Sequence, residues 1–318
     1  MDPLFCAADG QPDDFATSMM GVVVSRRGQG VRTVLIGGRG QLGTALRSQL
    51  GEDVVSPDRA ELDLAHWTQV SERIRAWRPQ LVINAAAYNL VDRAEDEPEV
   101  AFLQNAFALR HLAREVDSVG GTLVHVSTDQ VFGLEDSPGH PWRESDAPGP
   151  VSVYGASKLT GEFFVRSLCA RHVIVRTCGL YGVADSPGKG NFVGTMLRLG
   201  RQQEEVRVVD DQHCTPTRAT DLARAIVDLI ATGASGLYHA TNSGATTWCG
   251  FAREIFRLAG IATPVIPIRS AEFAAKARRP AWSVLSGDKL AAQRGLPMPE
   301  WNVALAEYLA ERGEHHRG

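Results

Sequence analysis

Three glycines spaced three apart, Gly37, Gly40 and Gly43, interrupt the chain where a β-branched run, VRTVLI (31–36), gives way to a helical pattern, TALRSQL (44–50). A strand that enters a helix through such a turn admits few folds, because each glycine answers a separate steric demand. One permits the tight turn, one lets backbone approach a pyrophosphate, and one lets helix and strand pack closely. The helix N-terminus then offers unpaired N–H groups and partial positive charge to the anion. The position at the first strand-turn-helix of the ordered chain points to a dinucleotide site.

The segments that follow keep the same alternation. Strands are expected at 53–56, 81–87, 122–129 and 171–177, with helices at 66–77, 100–116 and 154–169 between and after them. Such alternation means a parallel sheet covered on both faces: a Rossmann-like, doubly wound α/β fold. Beyond Gly179 the alternation weakens, and the patterns at 190–202, 220–230, 248–260 and 301–312 read as helices with short strands between them. The expected organisation is a nucleotide-binding domain over 31–180 and a smaller C-terminal substrate-binding lobe over 181–318. The lobe is expected to interleave with the last strands of the first domain. Residues 1–30 are read as a weakly ordered extension, with Met19 or Met20 as an internal start.

Bulk properties narrow the partners. Hydrophobic residues form 44% and charged residues 22%, the net charge is −4, and no basic tract advertises nucleic acid or a membrane surface. No run approaches the roughly 18 apolar residues a membrane span needs. The first stretch carries Asp2, Asp9, Asp13 and Asp14 where a signal peptide carries positive charge. Five scattered cysteines without a Cys-x-x-Cys pair argue for reduced thiols in a cytoplasm.

The second strand ends in Pro57-Asp58-Arg59. Asp58 suits ribose hydroxyls, whereas Arg39 and Arg59 suit a 2′-phosphate, so NADH and NADPH both stay open, with NADPH slightly favoured. Asp63 and Leu64 are placed to border the adenine; turn capping is the competing reading for Asp58 and Asp63.

Tyr154-Gly-Ala-Ser-Lys158 places a phenol and an ammonium on one helical face. A free phenol titrates near about 10, and a neighbouring ammonium together with the nicotinamide charge is expected to lower it. Tyr154 then protonates a carbonyl oxygen as hydride arrives, while Lys158 also holds the nicotinamide ribose. Ser127 and Thr128, at the end of the fourth strand, offer hydroxyls to the same oxygen.

These residues, together with GGRGQLG (37–43), AELDL (60–64), NAAAYNLVDRAE (84–95), VHVSTDQVFG (124–133), ESDAPGPVSVYGASKLTGE (144–162), IVRTCGLYG (174–182), GNFVGTML (190–197), VVDDQHCTPT (208–217), GLYHATNSGATTW (236–248) and ARRPAWSVL (277–285), make the chain resemble the dTDP-4-dehydrorhamnose reductase family, a branch of the extended short-chain dehydrogenases. The resemblance implies NAD(P)H-dependent reduction of the 4-keto group of a nucleotide-activated 6-deoxysugar, with Thr128, Tyr154 and Lys158 as the catalytic set. It implies Gly40, Gln41, Leu42, Asp58, Asp63, Leu64, Ala85, Ala86 and Ala87 around the cofactor. Thr128, Asp129, Gln130 and Gly179 are implied at the sugar, and Asn191, Gln212 and Arg279 at its diphosphate. A homodimer, and magnesium at a subunit contact, are further features of some relatives; no ligand cluster in the sequence supports the magnesium.

Two positions depart from the family pattern. Gln130 and Gly179 stand where many relatives carry Tyr and Trp, which enlarges the expected pocket and removes stacking surface. A 4,6-dehydratase of the same fold is disfavoured because Gln130 ends the Thr-Asp-Gln run, and an amide cannot serve as its acid. A C4 epimerase uses the same Tyr and Lys and stays open. A non-catalytic subunit, like the beta subunit of methionine adenosyltransferase, is disfavoured by the retained Tyr154 and Lys158.

Overall fold

A computed structural model describes residues 33–135, 138–183 and 190–314. The expected N-terminal extension lies outside them.

Six strands form one parallel sheet: β1 (Thr33–Ile36), β2 (Val54–Val55), β3 (Leu81–Asn84), β4 (Thr122–Thr128), β5 (His172–Thr177) and β10 (Gly236–His239), in the spatial order β10-β5-β4-β3-β1-β2. β1 and β3 bury every residue, as strands covered on both faces must. Helices α1 (Gln41–Leu50) and α8 (Ala219–Ala231) pack together against one face, where Leu42, Leu46, Ile226 and Leu229 share a core with Leu35 and Ile83. Helices α2 (Trp67–Trp77), α5 (Ala108–Ser118) and α6 (Val153–Leu168) cover the other face through Val70, Ile74, Leu109, Leu112 and Val165.

The strand order reverses between β1 and β3, since β2 lies on one side of β1 and β3, β4 and β5 run away on the other. The register aligns Ile36 with Asn84, Asn84 with His125, and Thr128 with Thr177. A crevice therefore opens at the carboxyl ends of the strands, where ligands bind in such sheets.

α3 (Val91–Ala94) and α4 (Pro98–Phe102) precede a π-turn over Leu103–Phe107, which leads into α5. The extra residue in that turn buries Asn105, whose side chain donates to the Tyr88 carbonyl at 2.9 Å and the Ser157 hydroxyl at 3.0 Å. A single continuous helix, as the 3.6 periodicity suggests, would not hold this amide between the 85–88 loop and α6.

The rest forms a second core. α7 (Phe192–Gln202), α9 (Trp248–Ala259) and α11 (Trp301–Glu311) bury Val193, Phe251, Ile255 and Tyr308 together. Short strand pairs β6 (Leu180–Tyr181) with β9 (Thr217–Arg218), β7 (Val206–Val209) with β12 (Val265–Ile268), and β8 (His213–Cys214) with β11 (Thr246–Thr247) tie this region together. The remaining helix, α10 (Asp288–Arg294), contacts α8 and β10. No helix among the described residues is long and apolar enough to cross a membrane.

Candidate active site

The glycine turn shows why its composition is narrow. Gly37 has φ +85°, and a Cβ there would lie 2.7 Å from the Ala86 nitrogen. A Cβ on Gly43 would sit 2.1 Å from the Gly37 carbonyl oxygen, so α1 packs directly on the turn. Gly40 is different: its nearest neighbour to an added Cβ is 3.5 Å away. It caps α1 without any side chain to satisfy the first-turn N–H groups. Those donors and the open space at Gly40 fit a pyrophosphate.

A cleft of about 450 Å³ borders this turn, lined by Gly37, Arg39, Gly40, Asp58, Asp63, Leu64 and Ala86. Arg59 and Ala87 also line it. Leu42 instead points into the core, Ala85 donates its N–H to the Ile36 carbonyl, and the Gln41 amide reaches the Gly190 carbonyl at 3.4 Å. Asp58 caps the turn, the competing reading for it in the sequence, and also pairs with Arg39. One carboxylate oxygen accepts the N–H groups of Ala60 and Glu61, and the other accepts from Arg39 at 3.1 Å. Asp63 accepts from the Ala65 N–H and from Arg59. Burial works to raise its carboxyl, but these donors outweigh it and hold Asp63 below the usual carboxylate range.

Deeper in the crevice, Thr128 ends β4 and Tyr154 sits in the first turn of α6, which Ser152 caps by accepting from the Gly155 N–H. The Tyr154 hydroxyl meets Thr128. Thr128 donates to the Asp129 carboxylate at 3.1 Å and accepts from the Gln130 N–H. Burial pushes the Tyr154 phenol up to about 12; Thr128 opposes this and the Asp129 charge adds to it. The expected lowering by an ammonium is not found here, because desolvation dominates. Lys158, only 2% exposed, donates to the Val126 carbonyl at 2.7 Å and lies 3.3 Å from His125 Nε2. Burial draws its amine down to about 8, against the pull of Glu162.

Ser127 turns away from the crevice and donates to Glu162, which Arg176 grips through two nitrogens at 2.9 and 2.7 Å. Asp129 is buried, which raises its carboxyl, and touches Cys178 and Ser283. Gly179 follows Cys178 with φ +52°, and an added Cβ would lie 3.2 Å from Pro216 Cα and 3.3 Å from the Trp248 ring. Gln130 keeps its side-chain oxygen buried without a partner.

The three residues implied at the diphosphate are engaged with the protein itself. Asn191 caps α7 through the Gly194 N–H and donates to the Gly182 carbonyl and the Tyr308 hydroxyl. Gln212 donates to Ser270 at 2.9 Å. Arg279 forms a two-pronged pair with Asp92 in α3, close to the start of α6, where Glu95 accepts the Val153 N–H. Sequence reasoning passed over Asn84, Asn105, His125, Glu162 and Arg176, all nearly fully buried. The signal available was a polar residue inside an apolar strand, as in LVIN and VHVS. Among the described residues no group of three His, Cys, Asp or Glu side chains is placed to hold a metal ion.

A glycine-cornered nucleotide cleft that runs into a buried Thr-Tyr-Lys set, at the switch point of a parallel sheet, defines a Rossmann-type enzyme of the short-chain dehydrogenase/reductase class. Residues 31–313 match the family described as RmlD substrate binding domain, and the chain belongs to that family. It is 38% identical over 300 residues to dTDP-4-dehydrorhamnose reductase of Escherichia coli strain K12, covering 87% of this chain and 97% of that one. It is 40% identical over 287 residues to the Streptomyces griseus protein of the same name, with 87% and 92% covered. The crystal structure of dTDP-4-dehydrorhamnose reductase from Bacillus anthracis in complex with NADP superposes with a TM-score of 0.83 at 38% identity, covering 89% of this chain and all of that one.

Proposed function

We propose that this protein is a nicotinamide-dependent reductase acting on the 4-keto group of a nucleotide-activated 6-deoxysugar, as the relatives' name describes for them. The observation that carries the reading is the Tyr154–Thr128 contact at the carboxyl end of β4, with the phenol kept protonated by burial. A protonated phenol beside a hydroxyl is what a ketone needs as it becomes an alcohol.

The cleft residues Gly37, Arg39, Gly40, Asp58 and Leu64 are proposed to hold the cofactor, which supplies the hydride when bound. Arg39 at the ribose end favours NADPH. Tyr154 gives its proton to the substrate oxygen, Thr128 helps hold that oxygen, and Lys158 holds the nicotinamide ribose. Asp129, Gln130 and Gly179 are proposed to line the sugar pocket. The test is to incubate the purified protein with a panel of nucleotide 4-keto-6-deoxysugars and NADPH or NADH and follow absorbance loss. Stoichiometric oxidation of the added cofactor supports the reading. An epimerase returns its hydride, so sugar turnover without net cofactor oxidation sinks it.

A further inference from the structure

β10 (Gly236–His239) ends the six-stranded sheet and pairs within it with β5 alone. The Ala240 N–H donates to the Arg176 carbonyl at 2.9 Å, across the β5 side of the ladder. Successive residues of a strand alternate sides, so Tyr238 also faces β5, while Leu237 and His239 turn their backbone groups outward. An outward row of this kind is a template for another strand. Two side chains meet it. Lys289 Nζ, in the first turn of α10, donates to the Leu237 carbonyl at 2.7 Å. The Glu144 carboxylate accepts the His239 N–H at 2.8 Å. In a parallel ladder a single residue of the next strand would serve both groups, giving its N–H to residue 237 and its C=O to residue 239. Both side chains are held from behind. Lys289 Nζ lies 4.3 Å from the centroid of the Tyr238 ring. Two residues before Glu144, Trp142 gives its N–H to the Val284 carbonyl at 2.8 Å and accepts the Ser286 N–H at 2.7 Å. A groove of about 810 Å³, lined by Gly236, Leu237, Glu144 and Lys289, leaves space along the edge, so bulk alone does not close it.

We propose that Lys289 and Glu144 stand in for the missing neighbour of β10, filling the hydrogen-bonding positions of its outer edge and so keeping that edge from pairing with β10 of a second copy. The same edge of a second copy is the partner this row fits, because a twofold axis sets two identical edges antiparallel without unfolding any other segment. Charged side chains, lysine above all, are a common means of keeping an exposed edge single. Lys289 is exposed and Glu144 half-buried, so removing both side chains costs the fold little and leaves the edge open.

The test is the double variant Glu144→Ala with Lys289→Ala, studied as the full chain by sedimentation velocity. Its mass is expected to rise with concentration toward about twice that of the wild type, the closed outcome of a twofold contact. Hydrogen exchange locates the contact: the Leu237 and His239 amides are expected to gain protection as the mass rises. A double variant that melts like the wild type and keeps its mass at every concentration overturns the proposal. Association that leaves both amides unprotected overturns it too. Glu144→Gln with Lys289→Gln keeps an acceptor and a donor but no charge, and is expected to keep the wild-type mass. Association of that variant would show that charge, not occupancy of the hydrogen-bonding row, guards the edge, and the proposal would fall. In dilute Glu144→Ala, the His239 amide is expected to exchange at least about tenfold faster than in the wild type, because its acceptor is gone. An unchanged rate overturns the proposal, and this measurement decides alone if the double variant does not fold.

Discussion

The Arg39 guanidinium donates to the Asp58 carboxylate across 3.1 Å at the ribose end of the nucleotide cleft, with the arginine side chain 76% exposed. A pair this open adds little to stability, typically about 0–1 kcal/mol, so Arg39 is free to exchange Asp58 for a 2′-phosphate. Asp58 keeps its other oxygen on the Ala60 and Glu61 N–H groups and stays in place. Arg39→Ala is expected to raise KM for NADPH about tenfold, the size of one lost charge-assisted contact, and to leave KM for NADH unchanged. Steady-state kinetics with both cofactors checks this. Equal effects on the two would show that Arg39 does not face the 2′ position.

Tyr154 lies beside Thr128 in a first-turn position that Ser152 caps independently. Tyr154→Phe removes the proton while keeping the ring and leaving Lys158 bound to Val126. kcat is expected to fall by at least about a hundredfold, the lower range for a lost general acid. Cofactor affinity, read by quenching of intrinsic fluorescence, is expected to stay within about twofold. A variant that keeps most of its kcat would remove Tyr154 from the role of acid.

The difference between these two sites shows what a sequence discloses. The glycine turn and the Tyr-Lys spacing are local: their residues lie within a few positions of one another, and helix and strand geometry alone sets which atoms converge. The packing beneath Lys158 is not local. His125 meets it across 33 positions, and Arg176 reaches Glu162 from another strand, so nothing in VHVS or VIVRT names a partner. The same holds for Arg279, whose partner Asp92 lies 187 positions away. The π-turn at Leu103–Phe107 escaped for another reason: one added residue shifts the apolar period too little to read in a single sequence.

Gly179 adopts φ +52° with Pro216 Cα and the Trp248 ring closing in on its Cβ direction. Restoring the relatives' aromatics here and at Gln130 would return stacking surface to the expected pocket. The backbone forbids the first. Any L side chain at Gly179 takes on left-handed strain of about 1–2 kcal/mol before its bulk meets Pro216. Gly179→Ala is therefore expected to lower Tm by several degrees, and Gly179→Trp by more, in thermal melts. Gln130→Tyr alone is the informative variant, because Gln130 holds a buried oxygen without a partner. It is expected to lower KM for dTDP-4-dehydrorhamnose severalfold with kcat little changed. An unchanged or higher KM in a folded Gln130→Tyr protein would show that this position does not set sugar preference.

Asp92 accepts from both terminal nitrogens of Arg279, at 2.9 and 2.8 Å, and from the Ala277 N–H at 3.0 Å. The Arg279 hydrogen bonds draw its carboxyl down to about 2, with the Ala277 N–H assisting and partial burial opposing. In the unfolded chain the same group titrates near about 3.9. A carboxyl whose folded value is the lower one binds fewer protons in the native state between those two values. Its stabilisation is thus fully present above about pH 4 and is lost as pH falls toward about 2. Asp92 is 48% exposed, so solvent screening limits the contribution to about 1 kcal/mol or less. Asp92→Asn is expected to melt slightly below the wild type at pH 7, and the gap should close as both are melted at successively lower pH between 5 and 2.5. Lys276, which pairs with Asp96 beside this contact, stays in place in the variant and keeps the 276–279 segment near α3. A gap that stays constant down to pH 2.5 would mean that Asp92 acts through its shape and neutral hydrogen bonds, not through its charge.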